Sequence, residues 1–309
     1  MASKGSTLTE WIKRYLKEEA PRSKSLMVSA FGDSIATLSP GIWLGDLITL
    51  MAPFGVNERL VRTSAFRLID ERWLEARREG RRSYYSLTAS GTRRFELAYG
   101  RIYTPPQEHW DGNWTVVLLP RNGETNSARL ELRHQLEWEG FASPIHGVML
   151  HPAANDEVLG QTLQDLDVLE KTVVMRAQSV ERFVTEPANK MVERYWDLNE
   201  IEGLYLRFIE RFAPLVTKVD LAVATPEQAF TVQTLLIHSY RRATLHDPRL
   251  PAVLLPDSWR GLEAFKLTRQ IYQLTLHQTR AHLKSVMEGI SDKRLPKLGE
   301  HVRERFGGL

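Results

Sequence analysis

The sequence predicts a mixed α+β chain of several domains, and three observations carry that prediction. Apolar residues recur at helical spacing through the first and last thirds. Two alternating segments meet at a glycine near residue 80. Between residues 114 and 178, short apolar runs alternate with helical segments, and one more strand near Phe141 would complete the order β-α-β-β-α-β. The length of 309 residues suits two or three domains, and 42% apolar residues suffice for real cores. The chain has no cysteine, which excludes disulfides, a thiolate nucleophile and cysteine-ligated metal. No uncharged stretch reaches the ~18 residues of a membrane span. The start, MASKGSTLTE, lacks the apolar core of a signal peptide, so a cytoplasmic location is expected.

The first third reads as follows. Leu8, Trp11, Ile12, Tyr15 and Leu16 form the apolar stripe of a helix over residues 7–19, which Pro21 ends. Further helices are predicted over 25–38 and 42–51, separated by Pro40-Gly41 and closed by Pro53-Phe54-Gly55. Asn57 is an N-cap for a fourth helix to about residue 72. Val61, Ala65, Leu68 and Ile69 share its apolar side. Arg59, Arg62, Thr63, Phe66, Arg67 and Asp70 share the other. Arginine can read guanine bidentately, and threonine or phenylalanine can touch a thymine methyl, so this face suits the major groove of double-stranded DNA. Residues 73–78 and 82–87 then alternate around Glu79-Gly80-Arg81, which predicts a hairpin bearing Arg77, Arg78, Arg81, Arg82 and Ser83. Thr88 can cap a helix to about residue 101. Three helices, a hairpin and a helix make a winged helix-turn-helix over residues 1–103, with a basic wing for phosphate or minor groove. The alternative is a solvated arginine-rich helix beside an incidental hairpin.

Charge sharpens this division. The net +3 of the chain is +6 over residues 1–101, −8 over 102–225 and +5 over 226–309. A basic first third fits an anionic partner, although ordinary surface variation would produce a similar split. After the linker Thr104-Pro105-Pro106, a ferredoxin-like domain is predicted over 107–186. Its strands lie at 114–119, near Phe141, at 145–150 and at 172–178, and its helices at 127–139 and 156–166. Metal-dependent nuclease chemistry needs carboxylates placed to hold metal ions. The first strand, WTVVLLP, has none, and Asp111 precedes it in a loop. The net −8 argues against this segment lying on DNA.

Residues 187–309 are predicted to be an α-helical domain, with helices over 191–211, 228–244 and 261–288. Trp196, Leu204, Tyr205, Phe208 and Phe212 give the first an aromatic stripe, which reads as core or as the lining of an aryl pocket. Asp257 or Ser258 can cap the third helix. His238, Arg241 and Arg242 cluster on the second helix, and Arg249, Trp259, Arg260, Lys266 and Arg269 follow. Arginine forks suit phosphates, and an aromatic cavity suits an aryl group. The competing reading is salt bridges and caps within a bundle. No metal-ligand or catalytic motif occurs: no H-E-x-x-H, no G-x-S-x-G around Ser86 or Ser258, no G-x-G-x-x-G and no phosphate loop. His238 and His246 lie eight apart, and His277 and His282 five apart, so neither pair has the i, i+3 or i, i+4 spacing of two metal ligands on one helix.

Several of these segments resemble a known family. FGDSI, IWLGDLITLMAPFG, ERLVRTSAFRLIDERWL, GRRSYYSLTASG, WDGNW and LLIHSYRRATLHDPRLPAVLLPDSWRG are similar to, and ordered like, the motifs of the PaaX family of phenylacetic-acid degradation repressors. The resemblance covers essentially residues 25–290. It implies a bacterial transcriptional repressor, not an enzyme, which needs no cofactor. It implies a homodimer on palindromic operator DNA and release by the effector phenylacetyl-coenzyme A. It also implies a middle domain like the small CRISPR-associated nuclease. It places the arginines of VRTSAFRL and GRRSYY on the recognition helix and wing; it specifies no effector contacts. Two readings from other classes stand beside it: an enzyme acting on a coenzyme A thioester, and a metal-dependent nuclease.

Overall fold

The computed structural model describes residues 4–120, 126–183, 186–219, 221–287 and 297–309. The chain forms two compact units. Unit 1 comprises Met1–Thr104, Tyr205–Leu245 and Glu263–Leu309; unit 2 comprises Pro105–Leu204 and His246–Leu262. After residue 204 the chain therefore returns to unit 1, apart from His246–Leu262, which belongs to unit 2.

Unit 1 opens with α1 (Lys4–Glu18), which buries Leu8, Trp11 and Tyr15. Helix α2 (Ser23–Ala30) runs directly into a π-turn (Phe31–Ile35) and one further helical turn (Ala36–Leu38). The single helix expected over 25–38 thus carries an inserted wide turn. Phe31, Asp33, Ser34 and Ile35 of that turn are all buried. Gly32 sits there because the Phe95 ring occupies the space a Cβ would need.

The helix expected over 42–51 is corrected at its start. Gly41–Trp43 is a strand, β1, and helix α3 covers only Leu44–Met51. Three apolar residues carry no period of their own, so their partner decides the outcome. Trp43 pairs with Tyr84 in the sheet register, with their rings edge to face at 5.1 Å.

Helix α4 (Glu58–Asp70) begins as predicted, with Asn57 Oδ1 accepting the Leu60 amide at 3.0 Å. Its inner face buries Val61, Ser64, Ala65 and Leu68; each of Val61 and Leu68 contributes about 1.5–3 kcal/mol of apolar burial. Arg72, at φ +59°, reverses the chain after it. There the Trp73 amide donates to Leu68 O and the Arg72 amide to Ile69 O, the pairing that usually has glycine at the αL position. Strands β2 (Leu74–Glu79) and β3 (Arg82–Leu87) form the hairpin. Glu79 pairs with Arg82, and Gly80 stands at φ +59° in the two-residue turn, where a type II′ turn places glycine. The sheet order is β1-β3-β2. Helix α5 (Ala89–Tyr103) follows, capped by Thr88.

Unit 2 holds β4 (Trp114–Leu118), α6 (Asn126–Trp138), β5 (Ala142–Ile145), β6 (Val148–His151), α7 (Asp156–Asp165) and β7 (Val173–Ala177). This is the β-α-β-β-α-β order expected from the sequence. All ladders are antiparallel and the sheet order is β5-β6-β4-β7. Val117, Leu132, Leu136, Met149, Leu159 and Leu163 form a core between sheet and helices. On the other sheet face, Trp114 and Leu150 pack with Trp196, Leu198, Leu250 and Leu254.

The helix expected over 191–211 is two helices, α8 (Ala188–Tyr195) and α9 (Asn199–Phe212). The break turns Trp196 and Leu198 inward, and Trp196 Nε1 donates to Gly140 O at 2.8 Å. Burying these two apolar side chains outweighs a few helical hydrogen bonds. Helices α10 (Pro226–Thr244) and α11 (Gly261–Val286) match prediction closely; the expected end of α11 at residue 288 lies outside the described residues.

At the centre of unit 1, Arg305 from the C-terminal segment forms an ion pair with Asp33, both side chains fully buried. Its Nη1 donates to Asp33 Oδ1 and Asp33 O, each at 3.0 Å, and also meets the Tyr272 hydroxyl. Tyr103 and Gln233 donate to the same carboxylate at 2.6 and 2.8 Å. Burial raises the Tyr103 and Tyr272 hydroxyls above the ordinary tyrosine range, so both stay protonated. The guanidinium lies 4.0 Å from the Tyr103 ring centroid, which gives its Nε and Nη2, without hydrogen-bond partners, a π face.

Candidate nucleic-acid interface and a second cavity

The outer face of α4 presents Arg59, Arg62, Thr63, Phe66 and Arg67, all exposed. Phe66 is 71% exposed although its neighbours at 65 and 68 are buried. A large apolar side chain left in water among arginines marks a surface that contacts something. Arg62 donates from Nε and Nη2 to Glu58 at 2.9 and 2.7 Å. An exposed pair of this kind contributes at most about 1 kcal/mol, so a phosphate or base can displace it. The Thr63 hydroxyl donates to Arg59 O within the helix.

The hairpin continues the basic surface. Arg78, Arg81 and Arg82 are exposed and Ser83 is half-buried. Arg82 lies 4.3 Å over the Trp43 ring, and Arg77 lies 5.4 Å over Tyr84 and pairs with Glu79. These contacts lay the two guanidinium heads over aromatic rings of the sheet, with both residues still exposed. Arg72, which the sequence did not single out, adds an exposed cation at the junction of α4 and the hairpin. It holds a left-handed conformation that costs a non-glycine residue of order 1 kcal/mol.

The six residues expected to meet an effector do not share one unit. His238, Arg241 and Arg242 belong to unit 1; Arg249, Trp259 and Arg260 belong to unit 2. Arg249, at φ +57°, donates from Nη2 to Pro105 O at 3.1 Å. Trp259 packs against the Trp114–Trp196 core and lies on Gly261, where a Cβ would meet its ring. Arg260 is exposed. Ser258 donates to Glu202 at 3.3 Å.

His238 and Arg242 line a cavity of about 450 Å³ with Tyr15, Glu19, Ala20, Pro21, Arg22 and Ser25. Arg241 turns inward from the same turn of α10 and donates to Ser25 Oγ at 2.9 Å. Burial, with Arg241 and Arg242 nearby, holds His238 down at about 4, so its ring is neutral at pH 7. Its Nδ1 shares a hydrogen bond of 3.1 Å with Ser29 Oγ. Glu19 is paired with Arg211, which leaves the arginines to set the sign of the cavity. The sequence reading found His238 and Arg242 but missed Tyr15, Arg22 and Ser25, which join them only through tertiary packing. Among the described residues, no group of three or more histidines or carboxylates could hold a metal ion. No described helix is long and apolar enough to cross a membrane.

Three family models match successive parts of the chain: PaaX-like protein over residues 22–91, PaaX protein central Cas2-like domain over 107–190, and PaaX-like protein C-terminal domain over 196–285. A curated relative, transcriptional repressor PaaX of Escherichia coli (strain K12), is 37% identical over 306 residues, 98% of this chain and 96% of its own length. The chain therefore belongs to the PaaX family. Among solved structures, uncharacterized protein Rv0674 from Mycobacterium tuberculosis superposes with a TM-score of 0.52 at 19% identity. It covers 86% of this chain and 100% of its own, a likeness of fold.

Proposed function

We propose that this protein is a ligand-controlled transcriptional repressor of phenylacetate catabolism genes, a regulator and not an enzyme. The segment Met1–Thr104 acts as a winged helix-turn-helix, with α4 in the major groove and the β2–β3 hairpin as wing. One observation carries this reading: the arginines, Thr63 and Phe66 of α4 all face outward beside a basic hairpin, while the opposite face of α4 is core. Unit 2, with its antiparallel order β5-β6-β4-β7, is read as a ferredoxin-like platform that stays off the DNA. Its first strand offers no carboxylate for nuclease chemistry. Two copies on a palindromic operator would place two recognition helices about one DNA turn apart, roughly 34–36 Å. Phenylacetyl-coenzyme A, or a related aryl thioester, is the proposed effector, and the protein works in the bacterial cytoplasm. Because Arg249 and Trp259 have structural partners in unit 2, the effector reading rests on His238, Arg241 and Arg242.

Two substitutions test the DNA assignment by electrophoretic shift. Arg67→Ala is expected to weaken operator binding by about 1–3 kcal/mol and to relax specificity at one base pair. Unchanged affinity would remove Arg67 from the interface. Arg81→Ala is expected to weaken operator and unrelated DNA alike, and to flatten the salt slope by about 0.9, the contribution of one phosphate contact. A loss confined to the operator would make Arg81 a base reader.

A further inference from the structure

Helix α2 touches both the cavity and the recognition-face helix through polar side chains. On the cavity side, His238 of α10 meets Ser29 Oγ at 3.1 Å and Arg241 donates to Ser25 Oγ at 2.9 Å. On the other side, Ser23 Oγ meets Ser64 Oγ of α4 at 2.7 Å, and Lys24 Nζ donates to Glu71 Oε1, just past α4, at 2.5 Å. Ser64 is buried on the face of α4 opposite Arg59, Arg62, Thr63, Phe66 and Arg67. The far end of α2 is anchored differently. Its π-turn carries Asp33, which Arg305, Tyr103 and Gln233 clamp from three other segments. One end is thus pinned by a buried ion pair, and the other is seated on α4 by one hydroxyl contact and one exposed ion pair.

We propose that the cavity between α1, α2 and α10 binds a phosphate-bearing anion, and that α2 passes its occupancy to α4. The inference rests on the reading of this protein as an effector-controlled DNA binder. Arg22 and Arg242 both line the cavity, one from the start of α2 and one from α10, and Glu19 is already neutralised by Arg211. An anion held by both arginines pulls the start of α2 toward α10. Arg22 directly precedes Ser23 and Lys24, so the same pull acts on the two side chains that seat α4. The clamp at Asp33 makes α2 pivot instead of slide. The bound and free states then differ in how the recognition face is presented. Such a difference is what a ligand needs to shift an equilibrium.

The test uses the full-length protein, with operator affinity read by fluorescence anisotropy and ligand affinity by isothermal titration. Phenylacetyl-coenzyme A is the first probe and inorganic pyrophosphate the second. Arg242→Glu is expected to lower the affinity for both probes at least about tenfold and to abolish release, with operator affinity unchanged. The double variant Lys24→Ala/Ser64→Ala is expected to bind the thioester as the parent does, yet to lose at least about fivefold of its effect on operator affinity. By reciprocity, operator DNA should weaken thioester binding to the parent by the same factor that the thioester weakens operator binding. Circular dichroism of each variant confirms that it is folded. If the double variant is released as efficiently as the parent, α2 is not the transmitting element. If Arg242→Glu binds both probes like the parent, the anion site lies elsewhere. If the parent binds pyrophosphate in the cavity but not the thioester, the effector identity fails while the site stands. If it binds neither, the site itself is refuted.

Discussion

Asp33→Ala is expected to destabilise unit 1 by about 3–5 kcal/mol, because it leaves Arg305 charged, buried and unpaired. The Asp33 carboxylate accepts from Arg305, Tyr103, Ser34 and Gln233, so one substitution takes an acceptor from four donors. Burial cannot resolve the problem by removing the proton from Arg305, because a guanidinium keeps its charge inside a protein. The double variant Asp33→Leu/Arg305→Met should recover much of the loss, since an apolar replacement of both partners restores neutrality. Urea unfolding of the three proteins checks this. A cost below about 1 kcal/mol for Asp33→Ala would mean that water reaches the site and that the clamp is not a structural anchor.

Acidification is expected to cost about 3 kcal/mol through His238 alone. The side chain is held at about 4 in the fold against an ordinary 6.5, first by burial and then by Arg241 and Arg242. The unfolded chain therefore binds the proton more readily between these values. The stabilisation is full above pH 6.5 and is lost as pH falls toward 4. Carboxylates also titrate in this range, so the measurement is a difference. The stability of the parent should fall about 3 kcal/mol further than that of His238→Gln between pH 7 and pH 4. Parallel pH profiles for the two proteins would contradict the assignment.

What the sequence made legible follows from range. The two faces of α4 were readable because helical spacing separates Val61, Ala65 and Leu68 from Arg59, Arg62, Phe66 and Arg67 within thirteen residues. The hairpin was readable because Gly80 sits between two alternating segments. Strand β1 was not, since Gly41–Trp43 is extended only because β3 lies beside it. The break between α8 and α9 follows from Trp196 reaching Gly140, 56 residues earlier. Asp33 stands in a quoted motif, yet nothing local shows that its partner is 272 residues away. The cavity joins the neighbouring helices α1 and α2 to α10, far along the chain. Hence the arginine of α10 was found and Arg22, at the start of α2, was not.

The charge pattern gains the same kind of resolution. The basic first third includes two such surfaces: the outer face of α4 with the hairpin, and the wall of the cavity at Arg22. The basic last third includes Arg241 and Arg242 at that cavity and Arg305 in the core, which never meets solvent.

The central claim is that the exposed face of α4 holds operator DNA and that a coenzyme A thioester ends the contact. One titration tests it most directly. Labelled operator duplex from upstream of phenylacetate catabolism genes, saturated with the full-length protein, is titrated in parallel with phenylacetyl-coenzyme A, coenzyme A and phenylacetate while anisotropy is followed. The account predicts a formed complex that phenylacetyl-coenzyme A dissociates and that phenylacetate leaves intact, with Arg67→Ala needing a higher protein concentration to form it. A complex that forms equally well with Arg67→Ala, or one that the thioester leaves undisturbed, would contradict it.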